Sequence, residues 1–468
     1  RLSIQLRIRI VVIDRSEMAV QSNQPEDWKE LTPEQKRQRR LEKMVDTRGM
    51  NFSSPEAEKA YKVRMQRMVD VYNLKEPDRV PVNLPVGNLP LKMAGIDTYT
   101  AMYEPERATE ALRAFNEKYG EELEYTAYSF NIPGRVLDLL DYKLYAWPGH
   151  GIAKDGTTWQ FKEGEYMTAD EYDDLIRDPS DFWIRKYMPR AFGVFEPMGL
   201  FQPFTNITEN VHVMQFMPLA MPQVQEMLQK LLDAGKEFQK MLQSMMGGTG
   251  RRGAGGAFLG GGFAKAPFDT IGDTLRGTTN IMQDMFRRPD KLLEALDKVA
   301  DLTISTILNS PNINNMTTVV YPLHKGADGW MSQKAFDTFY FPSLKKVMDA
   351  FIEEGLIQTL FAEGGYNTRL EYIDQFPKGA VTWYFDRTDM VRAKEILGEK
   401  CCLQGNVPTS MIVTGSPEEV KEYCRHLIET VGKGGGFILA AGSIADNPKL
   451  ENLQAMMAAV REYGYYKK

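Results

Sequence analysis

The sequence predicts an α/β fold, a TIM-type (β/α)8 barrel with a helical N-terminal extension and inserted loops. Three observations predict it. From about residue 257 onward, short apolar runs alternate with helical segments of about 10–20 residues, the rhythm of βα units on a parallel sheet. Two earlier runs, RVPVNLPV (79–86) and LEYTAYSF (123–130), bring the strand candidates to eight, the number that closes such a barrel. The apolar runs also end in polar residues. LFAEGGYNTRLEYI (360–373) ends its run with Glu363, where an unpaired buried carboxylate would cost several kcal/mol. A ring of polar strand ends around one pocket gives that carboxylate a use.

Composition sets the outer bounds. The 468 residues suffice for one large domain with additions, and 43% hydrophobic with 26% charged residues is ordinary for a soluble globular chain. A net charge of −6 leaves no basic footprint, which excludes nucleic acid as the main partner. Cys401, Cys402 and Cys424 form no CxxC pair and no even set, so they fit a reducing compartment and exclude a zinc-finger-type site. Four histidines, His150, His212, His324 and His426, exclude a histidine-rich metal centre. No stretch reaches the length of a membrane span, so the expected location is the cytoplasm. The opening RLSIQLRIRIVVID is interrupted by Arg7 and Arg9. Residues 1–17 are expected to be upstream sequence, with Met18 nearer the start.

The elements follow in order. Residues 1–75 are expected to be an N-terminal extension and residues 76–468 a barrel with insertions at 142–260. Within 21–72 the chain is charged and helical in pattern, and LTPEQ supplies an N-cap at Thr32, a proline at the first helical position and an acid in the first turn. This segment reads as a solvated lead-in. Residues 142–190, with WPGHG and TADEYDDLI, read as an insertion. PQVQEMLQKLLDAGKEFQKMLQSMM (222–246) is an amphipathic helix whose Met and Leu stripe predicts core packing. GGTGRRGAGGAFLGGGFA (247–264) lacks a Walker-type lysine, and its GxGxxG follows a helix rather than a strand. It reads as a loop able to fold over a site, or as a plain linker.

In a TIM-type barrel the chemistry sits at the C-terminal strand ends. Read in order, these carry Asn83 and Asn88, then Ser129 and Asn131, then Asp269, Asp273 and Arg276, then His324, Lys325 and Asp328. Glu363 and Arg369 follow, then Asp386 and Asp389, Gln404 and Asn406, and Ser443. His324, Glu363 and Asp386, on successive strands, suit acid–base work or one divalent ion held through nitrogen and oxygen donors. His426, inside the helical EYCRHLIE, reads as a surface residue, and His150 as a loop contact.

Several motifs resemble the uroporphyrinogen decarboxylase superfamily, which also holds corrinoid- and coenzyme M-dependent methyltransferases. They are EPDRVPV, HKGADGWMS, FAEGGYNTRLE and GNVPTSMIVTGSPEEVKEYCRHLIETVGKGGGFIL, spread over about 76–463. The resemblance implies the same barrel fold. In the decarboxylases an early arginine-bearing segment grips the porphyrinogen carboxylates, but NLPVGNLPLKMAG (83–95) carries no arginine. In the thiol methyltransferases zinc is held by an H-x-C pair and a late Cys. Those positions are Phe361, Glu363 and Ser443 here. What the resemblance implies is therefore a corrinoid-dependent methyltransferase acting on a small O- or N-methyl donor, working with a partner corrinoid protein. Glu363, His324 and Asp386 would be catalytic, and His324 with Glu363 would hold a zinc ion. Asn406, Arg369, Asp389, Arg276 and Asn83 would meet the substrate. The alternatives are uroporphyrinogen decarboxylation, with Asp386 or Asp389 stabilising a protonated pyrrole, and a barrel that binds a tetrapyrrole or corrinoid without turnover.

Overall fold

The computed structural model describes residues 27–127, 132–205, 208–246 and 261–466. Strand β1 is Val82–Asn83. A small insertion sheet follows, made of β2 (Tyr145–Pro148), β3 (Gly151–Ile152) and β4 (Gln160–Phe161). The main sheet continues with β5 (Gly261–Phe263), β6 (Thr318–Leu323), β7 (Ile357–Ala362), β8 (Val381–Phe385), β9 (Cys402–Val407) and β10 (Phe437–Ala441). Its order is β1-β10-β9-β8-β7-β6-β5, and every neighbouring pair is parallel. Helices Pro289–Leu308, Phe341–Glu353, Met390–Leu397 and Pro417–Thr430 fall between successive strands and Leu450–Tyr463 follows β10, as the alternation predicts; between β7 and β8, residues 367–372 form turns instead of a helix. The architecture is a TIM-type α/β barrel, seen as seven parallel strands curling round one axis.

The gap between β5 and β1 is where the expected strand 123–130 would pair. Leu123–Ala127 form no strand pairing, and 128–131, with Ser129 and Asn131, lie outside the described residues. The first strand is also shorter than the run 79–86. Pro81 and Pro85 flank it, and proline has no N–H to give a ladder.

Helix-facing side chains form the main core. Tyr321, Leu323, Leu360, Ala362, Trp383 and Phe385 are all buried. Two polar groups there satisfy each other and the outer layer: the Tyr321 hydroxyl donates to Gln358 Oε1 (2.7 Å), and Gln358 Nε2 donates to the Met348 carbonyl of an outer helix (2.8 Å).

The described part of the N-terminal extension, from Asp27 on, is no solvated lead-in; residues 1–26, with the expected start near Met18, lie outside the described residues. Helix Pro33–Val45 starts at a capping box, Thr32 accepting from the Gln35 N–H while the Gln35 side chain accepts from the Thr32 N–H. With helix Pro55–Tyr72 it buries Leu41, Met44, Tyr61 and Met65 against Ile357, Cys402 and Ile438, at the starts of β7, β9 and β10. Arg37 and Arg40 are buried too, because their guanidinium groups satisfy loop carbonyls. Arg37 donates to Tyr72 O (2.6 Å) and Gly379 O (3.0 Å), and Arg40 to Ile313 O (2.8 Å) and Met316 O (2.6 Å). These contacts sit at the N-terminal ends of the strands and floor the barrel. The opposite end is left for chemistry.

In the insertion, helix Pro222–Met246 buries Val224 and Met227 in a cluster with Val194, Met198 and Phe201, as its stripe predicts. Its other face leaves Leu228 and Leu232 exposed. Of the glycine-rich stretch, Gly261–Phe263 form β5, and 247–260 lie outside the described residues.

Candidate active site

The site is built from two sides. On the first, the chain leaves β5 through Lys265 into Pro267–Asp269 and a wide helical turn, Thr270–Arg276. Asp269 is fully buried and stitches the tip of β6. Its carboxylate accepts from the backbone N–H of His324 (2.9 Å) and Lys325 (3.0 Å) and from the Tyr340 hydroxyl (2.8 Å). One turn on, Asp273 receives His324 Nδ1 (2.7 Å), Lys265 Nζ (2.7 Å) and Lys325 Nζ.

The charges follow from this packing. Burial works to raise the Asp273 pKa, but the His324 hydrogen bond and the Lys265 and Lys325 charges hold it well below the carboxylate range. Asp273 is therefore ionised and can only accept, so His324 carries a proton on Nδ1. Burial disfavours the His324 imidazolium. The Asp273 hydrogen bond and the charges of Asp269, Asp273 and Glu363 outweigh it and lift His324 above its ordinary value.

The second side is a row set by strand register. Leu323 pairs with Ala362, and Ala362 with Phe385. One position beyond these stand His324, Glu363 and Asp386. Tyr384 pairs with Gln404, which brings Asp386 level with Asn406; Asn406 pairs with Ala440, which stands opposite Asn83. Glu363 lies in the middle of this row. Burial raises its pKa, the His324 charge pulls it down, and Asp269, Asp386 and Asp273 push it up, with a net rise. Asp386 accepts from the Gly364 N–H (3.0 Å), and the Nε of exposed Arg387 lies 3.6 Å away.

Of the residues expected from the sequence, His324, Glu363, Asp386 and Asn83 reach the barrel mouth. The others hold the fold. Asn406 is buried and donates to the carbonyls of Asp386 (3.2 Å) and Thr388 (2.8 Å), so it fixes the loop after β8. At the preceding Gly405 a side chain would bring its Cβ 2.6 Å from the Phe385 carbonyl, so only glycine lets β9 approach there. Asp389 caps helix Met390–Leu397 through the N–H groups of Val391 and Arg392. Arg276 is buried against Asp284 (2.7 Å), Met167 O (2.6 Å) and Glu165, tying the insertion to the barrel. Arg369 is likewise buried. It donates to Met331 O (2.7 Å) and to Gln333, and stacks on Phe336 at 4.5 Å. Neither arginine is placed to grip a substrate. His426 is exposed on its helix, and His150 meets the Tyr103 hydroxyl at 3.1 Å.

Lys265 and Tyr340 were missed. Lys265 follows Phe263 by one strand alternation, a signal available in AKAPF, whereas Tyr340 sits in a helical segment with nothing to mark it.

The expected zinc can be tested against these donors. His324 Nδ1 is engaged by Asp273, which leaves one imidazole nitrogen and the Glu363 carboxylate. Asp386, the third oxygen donor in the row, already accepts from the Gly364 N–H (3.0 Å), so the row does not offer the three converging donors of an open catalytic zinc site. Among the described residues no group of three or more His, Cys, Asp or Glu side chains is placed to hold a metal ion. The donor set does not fit zinc, and no step is routed through it.

The sequence model of the uroporphyrinogen decarboxylase family matches residues 219–463, more than half of the chain. The chain belongs to that family. Similar curated proteins include the uroporphyrinogen decarboxylase of Actinobacillus succinogenes, 24% identical over 285 residues covering 59% of this chain and 76% of that one. The uroporphyrinogen decarboxylase of Vibrio campbellii is 26% identical over 253 residues, 52% of this chain and 67% of its own. A solved methyltransferase from Methanosarcina mazei superposes with a TM-score of 0.54 over 86% of this chain and 98% of that chain, at 16% identity. That likeness is one of fold, and it agrees with the barrel.

Within the family's barrel, two titratable groups, His324 and Glu363, stand one position past neighbouring strands β6 and β7, with the imidazole held by Asp273. His324 and Glu363 have both been pushed to hold protons more tightly than usual. Opposed charges pack close by on Lys265, Lys325, Asp269 and Asp273.

Proposed function

We propose that this family member is a methyltransferase that moves a methyl group from a small oxygen- or nitrogen-linked donor to the cobalt of a corrinoid carried by a separate protein. The observation that supports it is the spending of arginines. Arg276 and Arg369 are locked inside the fold, residues 83–95 hold no arginine, and Arg387 stands exposed beside Asp386, while Arg251 and Arg252 lie outside the described residues. A polycarboxylated porphyrinogen needs several cationic forks. The methyltransferase name of the Methanosarcina mazei protein is in keeping with this reading.

In that reaction the donor's C–O or C–N bond breaks, the methyl group goes to reduced cobalt, and the leaving heteroatom takes a proton. His324 is the proton source. Asp273 holds its Nδ1–H and keeps the ring charged, so the second ring N–H, at Nε2, is the one to give. Glu363 returns the proton, and the Asp386 charge beside it raises its affinity for that proton. Asp269 positions the pair through the backbone of His324 and Lys325.

The test supplies reduced cobalamin with a panel of methyl donors and follows methylcobalamin by its visible absorbance. A parallel sample receives uroporphyrinogen, and released CO2 is measured. Methylation without CO2 release supports the proposal. CO2 release without methylation would instead favour decarboxylation, the activity named for the curated relatives.

A further inference from the structure

Two carboxylates stand behind His324, and they are held in different ways. Asp273 collects the cations: Lys265, Lys325 and His324 all pair with it. Asp269 is fully buried and, among the described residues, forms no ion pair. Its donors are neutral: the backbone N–H of His324 (2.9 Å), the backbone N–H of Lys325 (3.0 Å) and the Tyr340 hydroxyl (2.8 Å). A buried carboxylate without a counter-charge depends on the hydrogen bonds it accepts. Burial and the Asp273 charge push the Asp269 pKa up. The His324 charge, the His324 N–H and the Tyr340 hydroxyl work against that rise. Tyr340 supplies the side-chain member of this set.

A second tyrosine beside it gives an internal comparison. Tyr340 closes the helical turn Phe336–Tyr340, and Tyr366 follows β7. Both are buried, and both rings end against the loop after β6. A Cβ on Gly326 would stand 2.5 Å from the Tyr366 hydroxyl oxygen and 2.8 Å from the Tyr340 ring. Their hydroxyls are used differently. That of Tyr340 is spent on Asp269, whereas that of Tyr366 reaches no partner at hydrogen-bond distance and angle. Each ring is held without its hydroxyl. Tyr340 packs on Phe268 and Phe336, with centroids 5.7 and 5.4 Å away.

We propose that Tyr340 is a positioning residue of the proton-handling site. Its hydroxyl fixes the Asp269 carboxylate, and that carboxylate fixes the backbone of His324 and Lys325, from which both side chains reach Asp273. The effect on turnover rests on the methyl-transfer reading, and the effect on His324 does not. Tyr366, equally buried and equally close, has no such part.

The chain has four histidines, so protein labelled with nitrogen-15 at histidine gives four backbone amide signals, and His324→Gln assigns the one that matters. A bond to an ionised carboxylate places the His324 amide proton far downfield. In Tyr340→Phe, which keeps the packed ring, that signal is expected to move upfield. Methyl transfer to reduced cobalamin is expected to lose about tenfold or more in kcat with KM unchanged. Asp269→Asn reaches the relay from its other end and is expected to give the same upfield shift. In Tyr366→Phe the signal and kcat are expected to stay at the parent's values. An unmoved His324 signal in Tyr340→Phe overturns the proposal, as does an equal shift in Tyr366→Phe, where loss of any hydroxyl in this packed corner would then suffice. An unchanged kcat in a variant whose parent transfers methyl groups overturns it too, because a purely structural role would lower only the melting temperature. If the parent transfers no methyl group and the His324 signal still moves, the methyl-transfer reading falls and the positioning of His324 stands.

Discussion

In the proposed reaction Glu363 and His324 handle the proton, and their raised proton affinities give signed predictions. His324 has a folded pKa above its ordinary value. A step that needs its imidazolium is complete at low pH and lost as pH rises through the raised pKa. The stability it lends follows the same sense, present below the unfolded pKa and lost through the folded one. Asp273→Asn removes the hydrogen bond and the charge that support the imidazolium, so the alkaline fall in kcat/KM moves to lower pH. A pH–rate profile of both proteins checks this, and coincident profiles would contradict it. Glu363 also has a raised pKa, but as an acid it weakens the fold as pH climbs from its unfolded value through its folded one. Glu363→Gln removes that cost, so its melting temperature at neutral pH should equal or exceed the parent's. The position of Glu363 was legible in LFAEGG because a charge ends an apolar run. His324, Asp386 and Asp273 were legible as strand-end residues too, but not the contacts between them. That Asp273 would hold His324 across a distance of 51 residues depends on how the β5 turn folds back, and nothing local in APFDTIGD announces it.

At the scale of elements, the strands and helices of the C-terminal half were readable because periodicity changes cleanly between them. The role of the N-terminal helices was not. Their charged sequence looks solvated, yet one stripe of each helix covers the strand starts, and Arg37 and Arg40 are buried by bonding carbonyls that the sequence cannot reveal. The floor reading predicts that Met65→Ala costs about 2–5 kcal/mol in denaturant unfolding, where a solvated helix would lose almost nothing. The same limit explains Arg369. It stands in a motif that suggested substrate contact, but its partners are Met331, Gln333 and Gly326 of the neighbouring loop. Arg369→Met should therefore destabilise by about 3 kcal/mol and leave KM unchanged in the surviving folded protein. A raised KM with unaltered stability would return Arg369 to the substrate.

For the whole molecule, the barrel is capped on one end and open on the other. The extension seals the strand starts, outer helices seal the flanks, and chemistry is left to the mouth. Among the described residues no helix is long and apolar enough to cross a membrane. In the proposed methyl transfer the row at the mouth acts as an acid–base unit and contributes little to holding the barrel together. Single-turnover methylation of reduced cobalamin, run on the parent and on Glu363→Gln with melting temperatures from the same samples, tests it most directly. The expected rate is lower by about 100-fold or more with no fall in melting temperature. Equal rates, or a rate lost only in step with unfolding, would contradict it.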